Sequence, residues 1–153
     1  MTTVERVAAI VMLVPAAIWA GIIACFAVER VNLWSRMPTD QYVVDFRRSL
    51  RRVDPLQPIL AIVSIAGSAV YATSTGGTAS MFAWVGAALI VVVIVISLAV
   101  PERINAQFRR REEGEAPPNV EMLRERWRAF HLARVVPAVA ALIALVLATT
   151  FAG

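Results

Sequence analysis

"PLQPILAIVSIAGSAVYATSTGGTASMFAWVGAALIVVVIVISLAV", residues 55 to 100, contains no Asp, Glu, Lys, Arg or His. A membrane-spanning helix needs about 20 predominantly apolar residues, so this stretch is long enough for two of them. The small and polar segment "TSTGGTAS" (73 to 80) divides it and predicts the turn between the two helices. The stretch therefore predicts a helical hairpin in a membrane, with helices over about residues 56–72 and 81–100.

Two further apolar runs flank this hairpin. Residues 7–28 exceed the apolar core of a signal peptide, which has roughly 7 to 15 residues, so we expect them to remain as a helix. The last apolar run, 135–152, continues a helical pattern that begins at Val120. With a mean hydropathy of +0.68, the chain is predicted to be a single all-α integral membrane domain over residues 1–153. Its fold would be a four-transmembrane up-and-down helix bundle with helices at about 7–28, 56–72, 81–100 and 120–152.

The basic residues predict how this bundle is oriented. All fifteen are arginines, and the turn inside the hairpin has none. Short loops rich in positive charge stay in the cytoplasm, so the two long segments on either side of the hairpin are predicted to be cytoplasmic and both termini to face outward (N-out, C-out). A bacterial plasma membrane is the expected location. Topology and binding to anionic lipids explain the basic pI of about 10.5, so no nucleic-acid binding is predicted.

The segment between the first two helices has a helical pattern of its own. In "QYVVDFRRSLRRVDP" (41 to 55), Val43, Phe46, Leu50 and Val53 share one stripe and arginines occupy the remainder. This pattern is typical of a short amphipathic helix lying in the membrane interface. Two roles stay open for it: an arginine-rich anchor on anionic lipids, and a lid over a lateral substrate entrance.

"RWRAFHLAR" (126 to 134) holds the only histidine of the chain and leads directly into the last apolar run. Trp127, His131 and Arg134 are spaced at i, i+4 and i+7, so they share one face of a helix. Ionisable groups at the start of a membrane-spanning run usually face the bundle interior. Pairing of Arg134 with Glu29 would draw the face that carries Trp127, His131 and Arg134 inward. Asn119 is the predicted cap of this helix.

Two segments resemble the anthrone oxygenase-like family of small four-helix membrane proteins: "PERINAQF" (101 to 108) and "MLRERWRAFHLAR" (122 to 134). The family shows Pro-x-x-x-Asn near the end of its third helix, matched here by Pro101 and Asn105. It shows Trp-x-x-x-His-x-x-Arg entering its fourth helix, matched by Trp127, His131 and Arg134. The four-span layout and "DPLQP" (54 to 58) fit as well. The resemblance implies oxygenation of a polyketide anthrone to an anthraquinone without metal or flavin.

Such chemistry requires a base, a donor for the developing oxyanion and an apolar slot. On this hypothesis His131 is the base, Asn105 or Arg134 is the oxyanion donor, and Trp127, with Glu29 beside it, binds the flat substrate. Each residue also has a structural interpretation, as an interfacial anchor, a snorkelling arginine or a partner for a helix end. One His and the single cysteine, Cys25, do not suffice for a transition-metal ligand set, so no metal and no other cofactor is predicted.

Three functional classes remain open from the sequence. The first is a membrane enzyme of the monooxygenase type that acts on a lipophilic aromatic molecule. The second is a non-catalytic accessory subunit that docks onto partner membrane subunits or onto further copies of itself. The third is a small protein that binds a lipophilic ligand.

Overall fold

The structure, a computed structural model, describes residues 1–112 and 114–152, and all regular elements in these ranges are helical. The predicted domain also includes Glu113 and Gly153, which lie outside the described residues. Helix α1 (Thr3–Cys25) continues through a π-helical turn (Phe26–Arg30) into α2 (Val31–Arg36). The remaining helices are α3 (Thr39–Arg52), α4 (Leu56–Ser74), α5 (Gly77–Ala99), α6 (Pro101–Arg109) and α7 (Val120–Thr150).

Within these ranges, four helical segments are long and apolar enough to cross a membrane, which confirms the predicted all-α, four-span class. Helix α1 packs against α4 and α7, and α5 packs against the same two helices, so the four form a closed ring. Helix α1 begins before the predicted residue 7 because Thr2 and Glu5 form a capping box: each side chain accepts a hydrogen bond from the other residue's backbone N–H.

Small residues allow the spanning helices to approach closely. Gly67 of α4 lies directly against the backbone of α1, where a Cβ would be 2.6 Å from the nitrogen of Met12. Beside it, the Ser64 hydroxyl donates a hydrogen bond of 2.9 Å to the carbonyl of Met12. Gly86 of α5 has the same role against the side chain of Leu145 on α7. Without a hydrophobic force between helices in lipid, such close contacts and hydrogen bonds hold the bundle together.

The long inter-helix segments lie together at one end of the bundle, which we call the arginine-rich end. A second buried cluster, the aromatic layer, forms there from α2, α3, α6 and the start of α7. Its members are Val31, Trp34, Tyr42, Val43, Phe46, Leu50, Ile104, Phe108, Leu123 and Trp127. The amphipathic helix predicted within residues 41–55 is α3, and its stripe of Val43, Phe46 and Leu50 packs against protein in this layer. Its position in the membrane interface stays a prediction.

Two local features of the arginine-rich end follow from backbone chemistry. Helix α5 stops at Ala99, and Pro101, which has no N–H to donate, starts the separate helix α6. Asn119 precedes α7 in the left-handed conformation, with φ of 57°, and its side chain makes no capping hydrogen bond. Asn119 therefore occupies the predicted cap position, but its side chain does not cap the helix, because a capping side chain needs an extended backbone there.

Candidate functional site

A cavity of about 560 Å³ opens between the spanning helices at the arginine-rich end. Its volume lies within the usual range of small-molecule sites, roughly 300 to 1,000 Å³. The side chains that line it are mostly apolar, with a few polar groups among them. Buried residues of the lining include Trp19 and Ile23 of α1, Ala61 of α4, Val93 of α5 and Arg134 of α7; Asp54, Gln57, Ser97 and Asn105 add polar atoms.

The break between α5 and α6 gives the cavity its polar wall. Since α6 starts a new direction at Pro101, it carries Asn105 and Arg109 to the cavity instead of extending α5. The residues that follow α3 lie beside this wall, where Asp54 and Pro55 precede α4. Polar groups from these two segments, together with Ser97 of α5 and Arg134 of α7, therefore converge on one apolar space.

Arg134 is the most deeply buried charge in this cavity. Its side chain donates through Nη1 to the Ser97 hydroxyl at 3.0 Å and through Nη2 to Nδ1 of His131 at 2.8 Å. The residue is only 7% exposed, and its Nε has no hydrogen-bond partner among the described residues. No described carboxylate lies within 4.0 Å of it. A buried guanidinium hydrogen-bonded only to neutral groups is incompletely compensated, because Asp54 attracts it from beyond 4.0 Å without forming an ion pair.

His131 lies behind Arg134, away from the cavity. Its Nε2 is 3.0 Å from the carbonyl oxygen of Ile23, and the ring is 1% exposed. Trp127 stacks on the imidazole with ring centroids 4.7 Å apart. The Trp127 ring also packs against the rings of Trp34 and Phe46 in the aromatic layer, with centroid distances of 5.3 Å each.

A second hydrogen-bonded chain connects the aromatic layer to the cavity. The indole N–H of Trp127 donates to Oδ1 of Asn105 at 3.1 Å, and Nδ2 of Asn105 donates to Oδ2 of Asp54 at 3.0 Å. Arg109 also donates to that Asp54 oxygen, at 3.3 Å, and pairs with Glu102. Oδ1 of Asp54 accepts no hydrogen bond from any described residue. Two carboxylates line the cavity, Asp54 and Glu102, and each is held through one oxygen. Asp54 is the more buried of the two, with 29% of its side chain exposed against 44% for Glu102.

The structure separates the residues predicted to form the site. Asn105 and Arg134 line the cavity, whereas Trp127 and His131 are buried behind them. Glu29 lies elsewhere: it pairs with Arg30 at 3.0 Å, and its side chain is 56% exposed. The predicted Glu29–Arg134 ion pair is therefore wrong. The π-helical turn that contains Glu29 explains why the pair does not form. The extra residue in that turn rotates the following side chains by roughly 100° relative to a regular α-helix.

Asp54, Ser97 and Trp19 were not identified as site residues from the sequence. Asp54 had a detectable signal, since it is an isolated carboxylate immediately before the uncharged stretch, where ionisable groups are rarely lipid-facing. Ser97 and Trp19 gave no such signal, because a serine or tryptophan inside an apolar helix is usually a packing residue. Among the described residues, no group of three or more His, Cys, Asp and Glu side chains could hold a metal ion.

Comparison with known proteins gives a family. Residues 46–144, well over half of the chain, match the family model described as anthrone oxygenase. The match includes Asp54, Ser97, Asn105, His131 and Arg134. The comparisons with curated proteins and with solved structures found no match.

Proposed function

Because the chain belongs to the anthrone oxygenase family, we propose that it oxygenates a flat, lipophilic aromatic substrate with an activated methylene group inside the cavity. The observation that carries this proposal is the buried Arg134, which lines an apolar cavity without a carboxylate partner. An anionic oxygen that develops on a bound substrate would supply the directly paired negative charge that Arg134 lacks. Donors fixed in this way before reaction are worth far more in a water-excluded site than in water.

The reaction needs a proton acceptor as well as an oxyanion donor. Asp54 is our proposed acceptor, because its Oδ1 is open while Asn105 and Arg109 hold its Oδ2. Removal of one methylene proton gives a carbanion whose charge is shared with the substrate carbonyl oxygen, where Arg134 donates. The carbanion reduces O2 and forms a carbon–oxygen bond. Loss of water from the resulting hydroperoxide then yields the quinone carbonyl, so that one methylene and one O2 give one carbonyl and one water.

The earlier assignment of His131 as the base stays a prediction, but its surroundings favour Asp54. Both imidazole nitrogens of His131 are already within hydrogen-bond distance of protein partners, and the ring does not line the cavity. For the aromatic contact with the substrate, we propose Trp19, which lines the cavity, in place of Trp127, which is covered by neighbouring rings. We propose no metal or organic cofactor, since a stabilised aromatic carbanion can reduce O2 itself.

We further propose that the substrate arrives through the membrane. Pro55, Pro58 and Leu98 are exposed members of the cavity lining, and they mark a mouth between the start of α4 and the end of α5. In the proposed N-out, C-out orientation, this mouth is near the cytoplasmic face of a bacterial plasma membrane. Arginines of α3 would then rest on anionic lipid headgroups.

Turnover and proton transfer can be measured separately in lipid nanodiscs with unsubstituted anthrone as the probe. We expect anthraquinone formation with equimolar O2 uptake, and, in D2O without O2, exchange of the methylene protons faster than in buffer. Asp54→Asn should lose both activities, and Arg134→Met should lower turnover by about 10² to 10³-fold. Arg103→Met, at an exposed arginine outside the cavity lining, is the matched control and should resemble the wild type.

The same experiment can contradict the proposal. If the wild-type protein binds anthrone but neither exchanges its protons nor forms quinone, the chain is better described as a lipophilic-ligand-binding protein. If it does not bind anthrone and instead purifies with other membrane subunits, the accessory-subunit alternative is favoured.

A further inference from the structure

We infer that His131 is a positioning residue that holds Arg134 through a neutral acceptor, so that the positive charge of Arg134 stays available to the substrate oxyanion. This inference rests on the proposed function, because it assigns how the oxyanion donor of that site is kept in place. It gives His131 a role other than that of a proton acceptor.

The partners of His131 determine where its proton lies. A guanidinium can only donate, so Nδ1 of His131 accepts the 2.8 Å hydrogen bond from Arg134. A carbonyl oxygen can only accept, so Nε2 carries the hydrogen and donates it to Ile23 at 3.0 Å. The ring is therefore a neutral imidazole in one defined tautomer. It has no lone pair left with which to take a proton from a substrate.

The acceptor for Nε2–H comes from a specific feature of the first helix. Ile23 lies in the last turn of α1, directly before the π-helical turn Phe26–Arg30. At this transition the carbonyl oxygen of Ile23 accepts the backbone N–H of Phe26 and, with its second lone pair, the Nε2–H of His131. The hydrogen bond from His131 to the Ile23 carbonyl thus connects α7 to the end of α1 and fixes the plane of the imidazole behind Arg134.

Both acceptors that hold Arg134 are uncharged. The second is the Ser97 hydroxyl, which donates its own hydrogen to the carbonyl of Val93 at 2.7 Å and is free to accept from Arg134. A carboxylate at either position would hold the guanidinium more strongly but would also neutralise it. Asp54 and Glu102, the carboxylates that line the same cavity, are engaged instead by other donors: Asp54 by Asn105 and Arg109, and Glu102 by Arg109. Arg134 is in this way oriented by hydrogen bonds without losing its charge.

Two substitutions at position 131 distinguish a positioning residue from a base. Glutamine can accept from Arg134 and donate to Ile23 but cannot act as a base, whereas glutamate can act as a base but pairs with the guanidinium. We expect His131→Gln to keep kcat for anthrone within about tenfold of wild type, and His131→Glu to lose about 10²-fold or more, as for removal of an oxyanion donor. His131→Leu, which leaves Arg134 without this acceptor, should also lose activity. Size-exclusion chromatography of each variant checks that it is folded.

A binding measurement gives a second readout that needs no turnover. A hydroxyanthraquinone dye has a separate visible band for its phenolate, so its absorption reports the fraction that is ionised at a fixed pH. Wild type and His131→Gln should increase the phenolate fraction of bound dye relative to Arg134→Met, and His131→Glu should not.

The outcomes separate the two proposals. Active His131→Glu with inactive His131→Gln would overturn the inference and make His131 a base. An unchanged phenolate fraction between wild type and Arg134→Met would also overturn it. If the dye behaves as expected while anthrone is not oxidised by any form, the role of His131 stands and the proposed reaction fails.

Discussion

Gly67→Ala is expected to destabilise the bundle although it adds only one methyl group. The new Cβ would lie 2.6 Å from the backbone nitrogen of Met12 and 2.8 Å from the carbonyl carbon of Val11. Ordinary van der Waals contact of a Cβ begins at about 3.4 Å. Both of these atoms belong to the backbone of α1, so no side chain can rotate away, and α1 and α4 must move apart.

The size of the effect follows from three contributions. Overpacking at a rigid contact costs about 1 to 3 kcal/mol. Separation of the helices also weakens the Ser64–Met12 hydrogen bond, and interhelical hydrogen bonds in membranes contribute about 0.6 kcal/mol on average. Alanine recovers roughly 0.5 to 1 kcal/mol relative to glycine inside a helix. The expected net loss is therefore about 1 to 3 kcal/mol in the free energy of unfolding.

Gly21→Ala is the matched control, since Gly21 lies in α1 and a Cβ there meets no atom within 4 Å. It should be neutral or stabilising by up to about 1 kcal/mol. Unfolding of both variants can be followed by SDS titration, with the fluorescence of the four tryptophans as the signal. Equal stability of the two variants would refute the close α1–α4 contact and with it the packing argument for α4.

Three further predictions concern packing, topology and the site. Gly86→Ala should cost less than Gly67→Ala in the same titration, because its Cβ meets mainly the side chain of Leu145, while the nearest backbone atom, the carbonyl oxygen of Ala141, is 3.2 Å away; a larger loss would contradict this. In a Cys25→Ser background, an impermeant thiol reagent applied to intact cells should label Gly76→Cys and spare Ala116→Cys, and the reverse pattern would invert the proposed topology. Trp127→Phe keeps the stacked ring but removes the indole donor to the α6 asparagine, so kcat for anthrone should fall in a folded protein; wild-type kcat would show that this hydrogen bond does not act on the site.

The spanning helices could be predicted from the sequence because burial in lipid leaves a strong local signal. The uncharged residues 55–100 and the small polar turn within them define α4 and α5 almost completely. The close contacts made by Ser64 and Gly67 were predictable for a similar reason, since small residues in an apolar helix usually mark a helix–helix contact. In both cases the signal lies within one segment and needs no knowledge of the rest of the fold.

The site was less predictable because its geometry depends on interruptions of the helices. A regular helix would have placed Glu29 differently relative to α7, and the π-helical turn that prevents this has no distinctive sequence pattern. The second interruption, between α5 and α6, brings Asn105 to Asp54 across two segments. Arg134 lines the cavity, but its partners, Ser97 and His131, could be identified only when α5 and α7 were packed together.

The aromatic layer supports the polar groups that line the cavity. It lies outside the ring of spanning helices, yet Trp127 belongs to the layer and reaches both chains of hydrogen bonds, donating to Asn105 and stacking on His131. One chain leads to Asp54 and the other to Arg134, so a single buried ring contacts the supports of both groups that line the cavity. The apolar stripe of α3 packs around this ring from the other side. Helix α3 therefore stabilises the site indirectly, whether or not its arginines also bind lipid, because loss of its packing would free Trp127 and with it the orientation of both cavity groups.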